Sequence, residues 1–239
     1  MSLVLARMHA PSTILKFVNV TVPAGPDYET GLWDISLELK SGELLLVRIE
    51  RENERLPLAD AAEGLVPATN GAVLFRGKDW HNMTADHAAG QRGTIGRLFE
   101  DEGWISNLDV DENIMLAQQY HTQRGEEEIL QEALKYARMF GLPGLPRGRP
   151  GKMRRWDLRK AACIRAFLGR PALVLLEQPV RGVYADFMAP LINAVESARR
   201  YGAAVLWTVT DPQIWNHAGI RPTRRARMFG SEFQALEGN

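Results

Sequence analysis

The chain has 239 residues, which suits one α/β domain with a subdomain, because single hydrophobic cores grow to about 250 residues before chains divide. Its 29 basic and 29 acidic side chains cancel, so no bulk charge favours nucleic acid, an anionic membrane surface or a polyacidic partner. The single cysteine, Cys163, excludes a disulfide within the chain, and no apolar run approaches the ~20 residues of a membrane span.

Cys163 lies in an apolar, helix-like run and reads as a small buried hydrophobe in a reducing compartment. The N-terminus lacks a signal-peptide pattern, so the expected location is the cytoplasm, peripheral to a membrane at most. The histidines have no metal-ligand spacing among themselves or with the cysteine, and no metal site is expected.

In chain order, "TILKFVNVTV" and "LWDISLEL" alternate as short strands around the turn-rich "PAGPDYETG" and predict an antiparallel edge region. "GELLLVRI" is a continuous apolar run, as in a strand covered on both faces. "LPLADAAEGL" has helical spacing, with Pro57 tolerable in a first turn and Gly64 as a stop. "GAVLFRG" predicts a strand, residues 84–92 a helix and "TIGRLFE" another strand. "LDVDENIMLAQQYH" carries a helix start, with Asp109 as N-cap and Glu112 three residues on. Residues 126–140 predict a second amphipathic helix, and "GLPGLPRGRPG" is too rich in proline and glycine for either element. Helical spacing returns from Trp156 to Leu168. The buried strand "ALVLLEQP" then ends in polar residues, where open α/β sheets put their chemistry. A helix at 186–200, the strand "AAVLWTVT" and a hairpin-like "RARMFGSEFQAL" follow.

This order of pieces resembles the nucleotide-binding domain of ABC transporters over nearly the whole chain. Gly42 and Glu43 match the family's Gly-Glu start, Gly64 the glycine that ends its phosphate-loop helix, and "LRKAACIRAFLGRPALVLLEQP" its most typical stretch. The resemblance implies a P-loop NTPase-like parallel sheet with helices on both faces and an N-terminal antiparallel β region. Residues 1–98 and 170–239 would form the α/β core and residues 99–169 an inserted helical subdomain. "GWISNLDVDENI" and "EQPVRG" are loosely similar to cassettes of bacterial lipid-transport systems.

Laid on the family's register, each chemical position differs. Glycines of a working phosphate loop permit positive φ and close backbone approach, lysine neutralises the phosphates and a hydroxyl reaches magnesium. Here Ile49, Glu52 and Glu54 stand in the loop, Arg55 falls on the lysine, and Leu56 and Pro57 replace the hydroxyls. Glu50, Glu52 and Glu54 would confront a triphosphate, each close like-charge contact costing about 1 kcal/mol even at high dielectric. The simpler reading is a solvated loop with local Glu and Arg pairs. Glu177 falls on the magnesium-binding aspartate, which it can replace, and Gln178 on the catalytic glutamate, where it supplies no basic carboxylate. Glu100 takes the place of the glutamine that senses magnesium, and Thr210 that of the switch histidine. Ala24 falls near the adenine-stacking aromatic, with Tyr28 as a loose candidate.

The signature motif becomes Met153, Arg154, Arg155, Trp156 and Asp157. In the family it opens a helix and faces the nucleotide of the opposite subunit. Trp156 obstructs that approach, and Arg154 and Arg155 are either phosphate contacts or plain exposed arginines. Trp104, Ile105 and Leu108 fall where the family meets its permease, and read equally as a contact patch or as anchors of the helical subdomain.

The resulting expectation is a pseudo-ATPase without cofactor, a structural or regulatory subunit beside a membrane permease or a second cassette, as homo- or heterodimer. One alternative is a weak ATPase that binds Mg-ATP and energises transport. A second is a soluble binding module whose old cleft, made acidic by Glu50, Glu52, Glu54 and Glu177, takes a cationic or uncharged ligand.

Overall fold

The computed structural model describes residues 12–51, 55–101, 103–180 and 187–236. Its first layer is an antiparallel sheet of β1 (Thr13–Val22), β2 (Leu32–Lys40), β4 (Asn70–Phe75) and β5 (Lys78–Asp79), in the order β2-β1-β4-β5. The second is a sheet in the order β10-β9-β3-β8-β7-β6, built from β3 (Leu44–Ile49), β6 (Ile95–Leu98), β7 (Leu173–Glu177), β8 (Ala204–Val209), β9 (Arg224–Phe229) and β10 (Glu232–Leu236). Strands β9, β3, β8, β7 and β6 run parallel, and β10 turns back on β9 as the expected hairpin.

The continuous apolar character of β3 follows from burial on both faces. Leu44 and Leu46 enter the core shared with the helices, whereas Leu45, Val47 and Ile49 enter the core beneath the antiparallel sheet. Alternation of side chains along a strand makes that division automatic.

Helices α3 (Val110–His121), α4 (Glu126–Met139) and α5 (Arg155–Phe167) form the helix-rich block, and α6 (Met188–Arg200) packs on the same core. The Asp109–Glu112 capping box forms, with the Glu112 carboxylate accepting from the Asp109 amide at 2.6 Å. Helix α5 lies directly against β6 because residue 96 is glycine: a Cβ there would sit 1.8 Å from the Ala166 carbonyl oxygen. The short helices α1 (Leu58–Ala62), α2 (Ala85–Arg92) and α7 (Pro212–Trp215) complete the fold. No helix among the described residues is long and apolar enough to cross a membrane.

The expected helix after the phosphate-loop position is only five residues long. Pro57 occupies its N-cap and Gly64 follows its C-cap at φ +63°, where a Cβ would lie 2.4 Å from Trp80. Trp80 stacks on Phe75 at 5.4 Å and donates its indole N–H to Ala62 at 3.0 Å. Arg92 donates to the carbonyls of Glu63 and Gly64 at 2.9 and 2.8 Å, satisfying acceptors that a helix end leaves open. The stop is therefore fixed by tertiary contacts as well as by the glycine.

Candidate functional site

The C-terminal ends of β3, β6, β7 and β8 meet α1 and the β1–β2 loop at a cleft of about 390 Å³. This is the position that open α/β sheets reserve for ligands.

Its centre is Arg97, on β6 and 7% exposed. The guanidinium Nε donates to Glu177 at 2.6 Å, and Nη1 donates to Asp60 and to Glu63, each at 2.7 Å. Asp60 lies on α1 and Glu63, three residues on, is its C-cap, so the two share one face. The Phe99 ring lies 4.2 Å from the guanidinium carbon, a cation–π contact. Tyr28 reaches in from the β1–β2 loop and donates its hydroxyl to Asp60 at 2.6 Å. The residue loosely matched to an adenine-stacking aromatic is thus tied to a carboxylate.

Charge is unevenly shared in this cluster. Burial pushes the Glu63 and Glu177 carboxyls above the ordinary glutamate range, although Arg97 pulls each of them down. Burial also raises Asp60, but the hydrogen bond and charge of Arg97 outweigh it and leave Asp60 low. Burial opposes the Arg97 charge, yet Glu177 and Glu63 hold it firmly protonated. Burial and the Asp60 bond raise Tyr28, which stays a donor. Three carboxylates around one guanidinium favour retention of a proton within the group.

At the described phosphate-loop positions the acidic and basic side chains pair with one another, as the simpler sequence reading expects. Ile49 ends β3 with its side chain buried on the cleft side. Glu50 does not confront the cleft: its amide pairs with Met228, and its carboxylate meets Arg48 at 3.3 Å and Arg227 at 3.5 Å. The strand alternation that points Ile49 inward points Glu50 away. Glu52 and Glu54 lie outside the described residues. Arg55 is about half exposed and pairs with Asp101 at 2.5 Å, while its amide donates to Glu29 at 2.7 Å. It lines the cleft mouth, but the buried positive charge is that of Arg97, not of Arg55. Leu56 is buried, and Pro57 leads into α1.

Gln178 and Thr210, which the resemblance sets at the catalytic-glutamate and switch-histidine positions, bond to each other. Gln178 is 7% exposed, and its side-chain carbonyl accepts from the Thr210 amide at 3.0 Å and from its hydroxyl at 3.3 Å. Its backbone is left-handed at φ +47°. The buried Arg159 of α5 donates to the carbonyls of Phe99 and Glu100 at 3.0 Å, of Glu177 and Pro179 at 3.2 Å, and of Gln178. Two internal guanidiniums therefore flank Glu177, one on its carboxylate and one on its carbonyl.

In the signature-equivalent stretch, Met153 packs on the helical core, Arg154 is the N-cap of α5, Arg155 is exposed, and Trp156 and Asp157 are half-buried. Of the three partner-contact candidates, Trp104 is an anchor, packed on the core with the Arg165 guanidinium 4.6 Å from its ring. Ile105 is exposed and Leu108 half-buried. The buried Asn113 amide holds that loop by bonds to both backbone groups of Ile105 and to the Leu108 carbonyl.

Arg97, Asp60, Glu63 and Arg159 are the residues that sequence reasoning passed over. The signal was present for Arg97: an arginine between glycine and leucine in a buried strand needs acidic partners. Nothing in the linear order says that those partners lie on α1 and β7.

The architecture defines an α/β cassette of the P-loop NTPase type. A similarity to solved structures agrees: the dimeric post-hydrolysis structure of the ATP-binding cassette MJ0796 bound to ADP and Pi superposes with a TM-score of 0.79 at 19% identity, covering 95% of this chain and 100% of that one. A macrolide export ATP-binding/permease protein of Chlorobium luteolum is 22% identical over 227 residues, and the oligopeptide transport ATP-binding protein OppF of Salmonella typhimurium is 25% identical over 192. These matches cover 93% and 78% of this chain but only 34% and 58% of those relatives. No protein-family model matches. By fold and by sequence similarity, the chain resembles ABC-type ATP-binding cassettes.

Proposed function

We propose that this cassette does not use ATP and acts as a structural or regulatory subunit, docked on membrane permease subunits or on a second cassette at the inner face of a membrane. The observation that carries the reading is the engagement of Glu177, the carboxylate at the magnesium-ligand position, with Arg97 at 2.6 Å. Other residues support it. Leu56 and Pro57 offer no hydroxyl, Ile49 brings a buried side chain where the family has glycine, and Gln178 spends its carbonyl on Thr210. The cleft lining holds Asp27, Asp60, Glu100, Asp101 and Glu177 against Arg55 and Arg97. Each unit charge about 4 Å from a phosphate charge of the same sign costs roughly 1–4 kcal/mol at dielectrics from water to a protein surface. The residues present do not fit Mg-ATP, and no hydrolytic step is assigned to them.

The dimeric cassettes among the structural neighbours support a paired arrangement. In such a pair this chain would contribute neither a working loop nor the usual signature, which suits a stabilising or inhibitory role. The competing reading, a weak ATPase that energises transport, draws on the relatives' being ATP-binding proteins.

Isothermal titration with Mg-ATP separates the two. The expected outcome is no saturable heat at millimolar nucleotide, whereas submicromolar to micromolar binding overturns the proposal. Co-purification from the native membrane tests the partner half: recovery of a permease or second cassette with the chain supports it, and recovery of the free chain alone counts against it.

A further inference from the structure

We infer that the groove between α4 and the C-terminal end of α6 binds a phosphate monoester, with Lys135 and Arg170 as its cationic contacts and Tyr136 and Tyr201 as hydroxyl donors. The groove holds about 750 Å³. It lies at the opposite end of the parallel sheet from the cleft, because the turn at Gly169 and Arg170 leads into the start of β7 and α6 leads into the start of β8. Its occupation is therefore separate from whether the cleft takes ATP.

Helical spacing builds one wall. Glu128, Glu132, Lys135 and Met139 recur at steps of three and four residues along α4 and share a face, beside the stripe of Ile129, Ala133 and Ala137 that enters the core. Tyr136 stacks on the buried Phe167 with ring centres 6.3 Å apart, and Tyr201, the C-cap of α6, stands in the facing wall. The acidic side chains of the groove are already neutralised, since Arg124 pairs with Glu128 and with Glu132, each at 2.7 Å. Lys135 and Arg170 have no ion pair among the described residues, so their two positive charges are left uncompensated. A phosphate monoester, with about −1.5 to −2 charge at neutral pH and three acceptor oxygens, matches those charges and the donors around them better than a carboxylate with one charge. The exposed Met139 and the tyrosine rings offer an apolar wall to its organic part.

Two features of the groove have no explanation in the chain's own contacts. The Tyr201 hydroxyl is buried without a hydrogen-bond partner among the described residues, which folded chains rarely tolerate. Arg170 is left-handed at φ +53° immediately before Pro171, although a side chain disfavours positive φ and a following proline favours extended backbone. Strain of this kind gathers at ligand clamps. Here it sets the guanidinium carbon 6.0 Å from the Tyr201 ring, and the Arg170 charge bears on both phenols. Burial, with Glu132 adding to it, pushes the Tyr136 phenol up to about 12 and raises that of Tyr201, so each stays a donor. Tyr201 as a whole is only half-buried, and its hydroxyl gains an acceptor when a phosphate seats beside Arg170.

Isothermal titration of the full chain with phenyl phosphate tests the site, with sodium chloride at equal ionic strength as the blank. Saturable submillimolar binding is expected. Arg170→Ala and Lys135→Ala should each weaken it about tenfold or more and still fold, since both side chains are exposed. Tyr201→Phe separates a ligand contact from a structural one: loss of the unpartnered hydroxyl should leave the Tm of the free protein unchanged or higher, yet weaken phenyl phosphate about threefold or more. Arg55→Ala, at the mouth of the distant cleft, should bind as the parent does. A lipid headgroup and a free phosphate monoester share this chemistry, and co-sedimentation distinguishes them. Phosphatidylcholine vesicles that contain phosphatidic acid should carry down the parent more than Arg170→Ala if the source is a lipid; a chain that binds phenyl phosphate and ignores the vesicles takes a free ligand. Either result supports the site.

Tight Mg-ATP binding that Arg55→Ala weakens and Arg170→Ala does not would refute the proposed function and leave the groove untouched. The groove itself is refuted by the absence of saturable phenyl phosphate binding together with vesicle sedimentation that ignores Arg170→Ala. It is equally refuted by phenyl phosphate binding that survives both Arg170→Ala and Lys135→Ala, and by a Tyr201→Phe variant that loses stability but keeps the parent's affinity.

Discussion

Replacement of Gln178 tests the proposal that the residue aligned with the family's catalytic glutamate no longer serves hydrolysis. Gln178→Ala removes the acceptor for the Thr210 amide and hydroxyl, bonds of 3.0 and 3.3 Å in a part-buried setting. Leaving such donors unsatisfied costs about 1–3 kcal/mol, or an unfolding midpoint roughly 2–12 °C lower in a domain of this size. The left-handed backbone at φ +47° remains in the alanine variant. Gln178→Gly relieves that conformation, worth about 1 kcal/mol, and should unfold above Gln178→Ala although both lack the acceptor. Gln178→Glu keeps an acceptor for Thr210 and restores the missing carboxylate, but the neighbouring Glu177 is still held by Arg97 at 2.6 Å. It should release no phosphate from Mg-ATP above the buffer blank. Urea unfolding of the three variants and a phosphate-release assay on Gln178→Glu check the set. An alanine variant as stable as the parent refutes the role given to the Thr210 bonds, and steady phosphate release by Gln178→Glu refutes the account of the cleft.

Stability should also vary with pH in a direction fixed by the cluster around Arg97. Glu63 and Glu177 are raised by burial, so the stability they contribute is complete below the unfolded glutamate value near 4.3 and is lost as pH rises through their folded values. Asp60 is lowered on balance by Arg97, so its contribution is present above about 3.9 and is lost as pH falls through its folded value. Urea denaturation across pH should therefore decline on the alkaline side of the glutamate range, and Glu63→Gln should flatten that decline; an unchanged slope in the variant refutes the assignment. Gly64→Ala combines a positive φ with a Cβ 2.4 Å from the Trp80 ring, and should cost about 2–5 kcal/mol from backbone strain plus overpacking. An unfolding midpoint within a degree of the parent's would refute the Gly64–Trp80 stop.

Much of the fold could be read from local rules. Strand β1 has the bounds that its alternation predicts, α3 starts at its capping box, and the proline and glycine of residues 141–151 give loop with a short 3-10 turn. These features depend on neighbours in sequence, so spacing and residue type suffice. The turn at Pro212–Trp215 went unread because four residues are too few to carry a period, and its helical form comes from the Asp211 cap on the Gln213 amide. The site was less legible. Alignment of positions put the surviving positive charge on Arg55 and the acidity on Glu50, yet Arg55 is half exposed and Glu50 turns to Arg48 and Arg227.

The sequence by itself determined the order of elements, the doubly covered β3 and the absence of glycine and hydroxyl residues between Ile49 and Pro57. Only the tertiary structure decided which charges meet. Arg97, Asp60, Glu63 and Glu177 come from β6, α1 and β7. No local propensity links residues so far apart in the chain. What links them is the cost of burying a guanidinium or a carboxylate without a partner, which packing converts into one specific set of ion pairs.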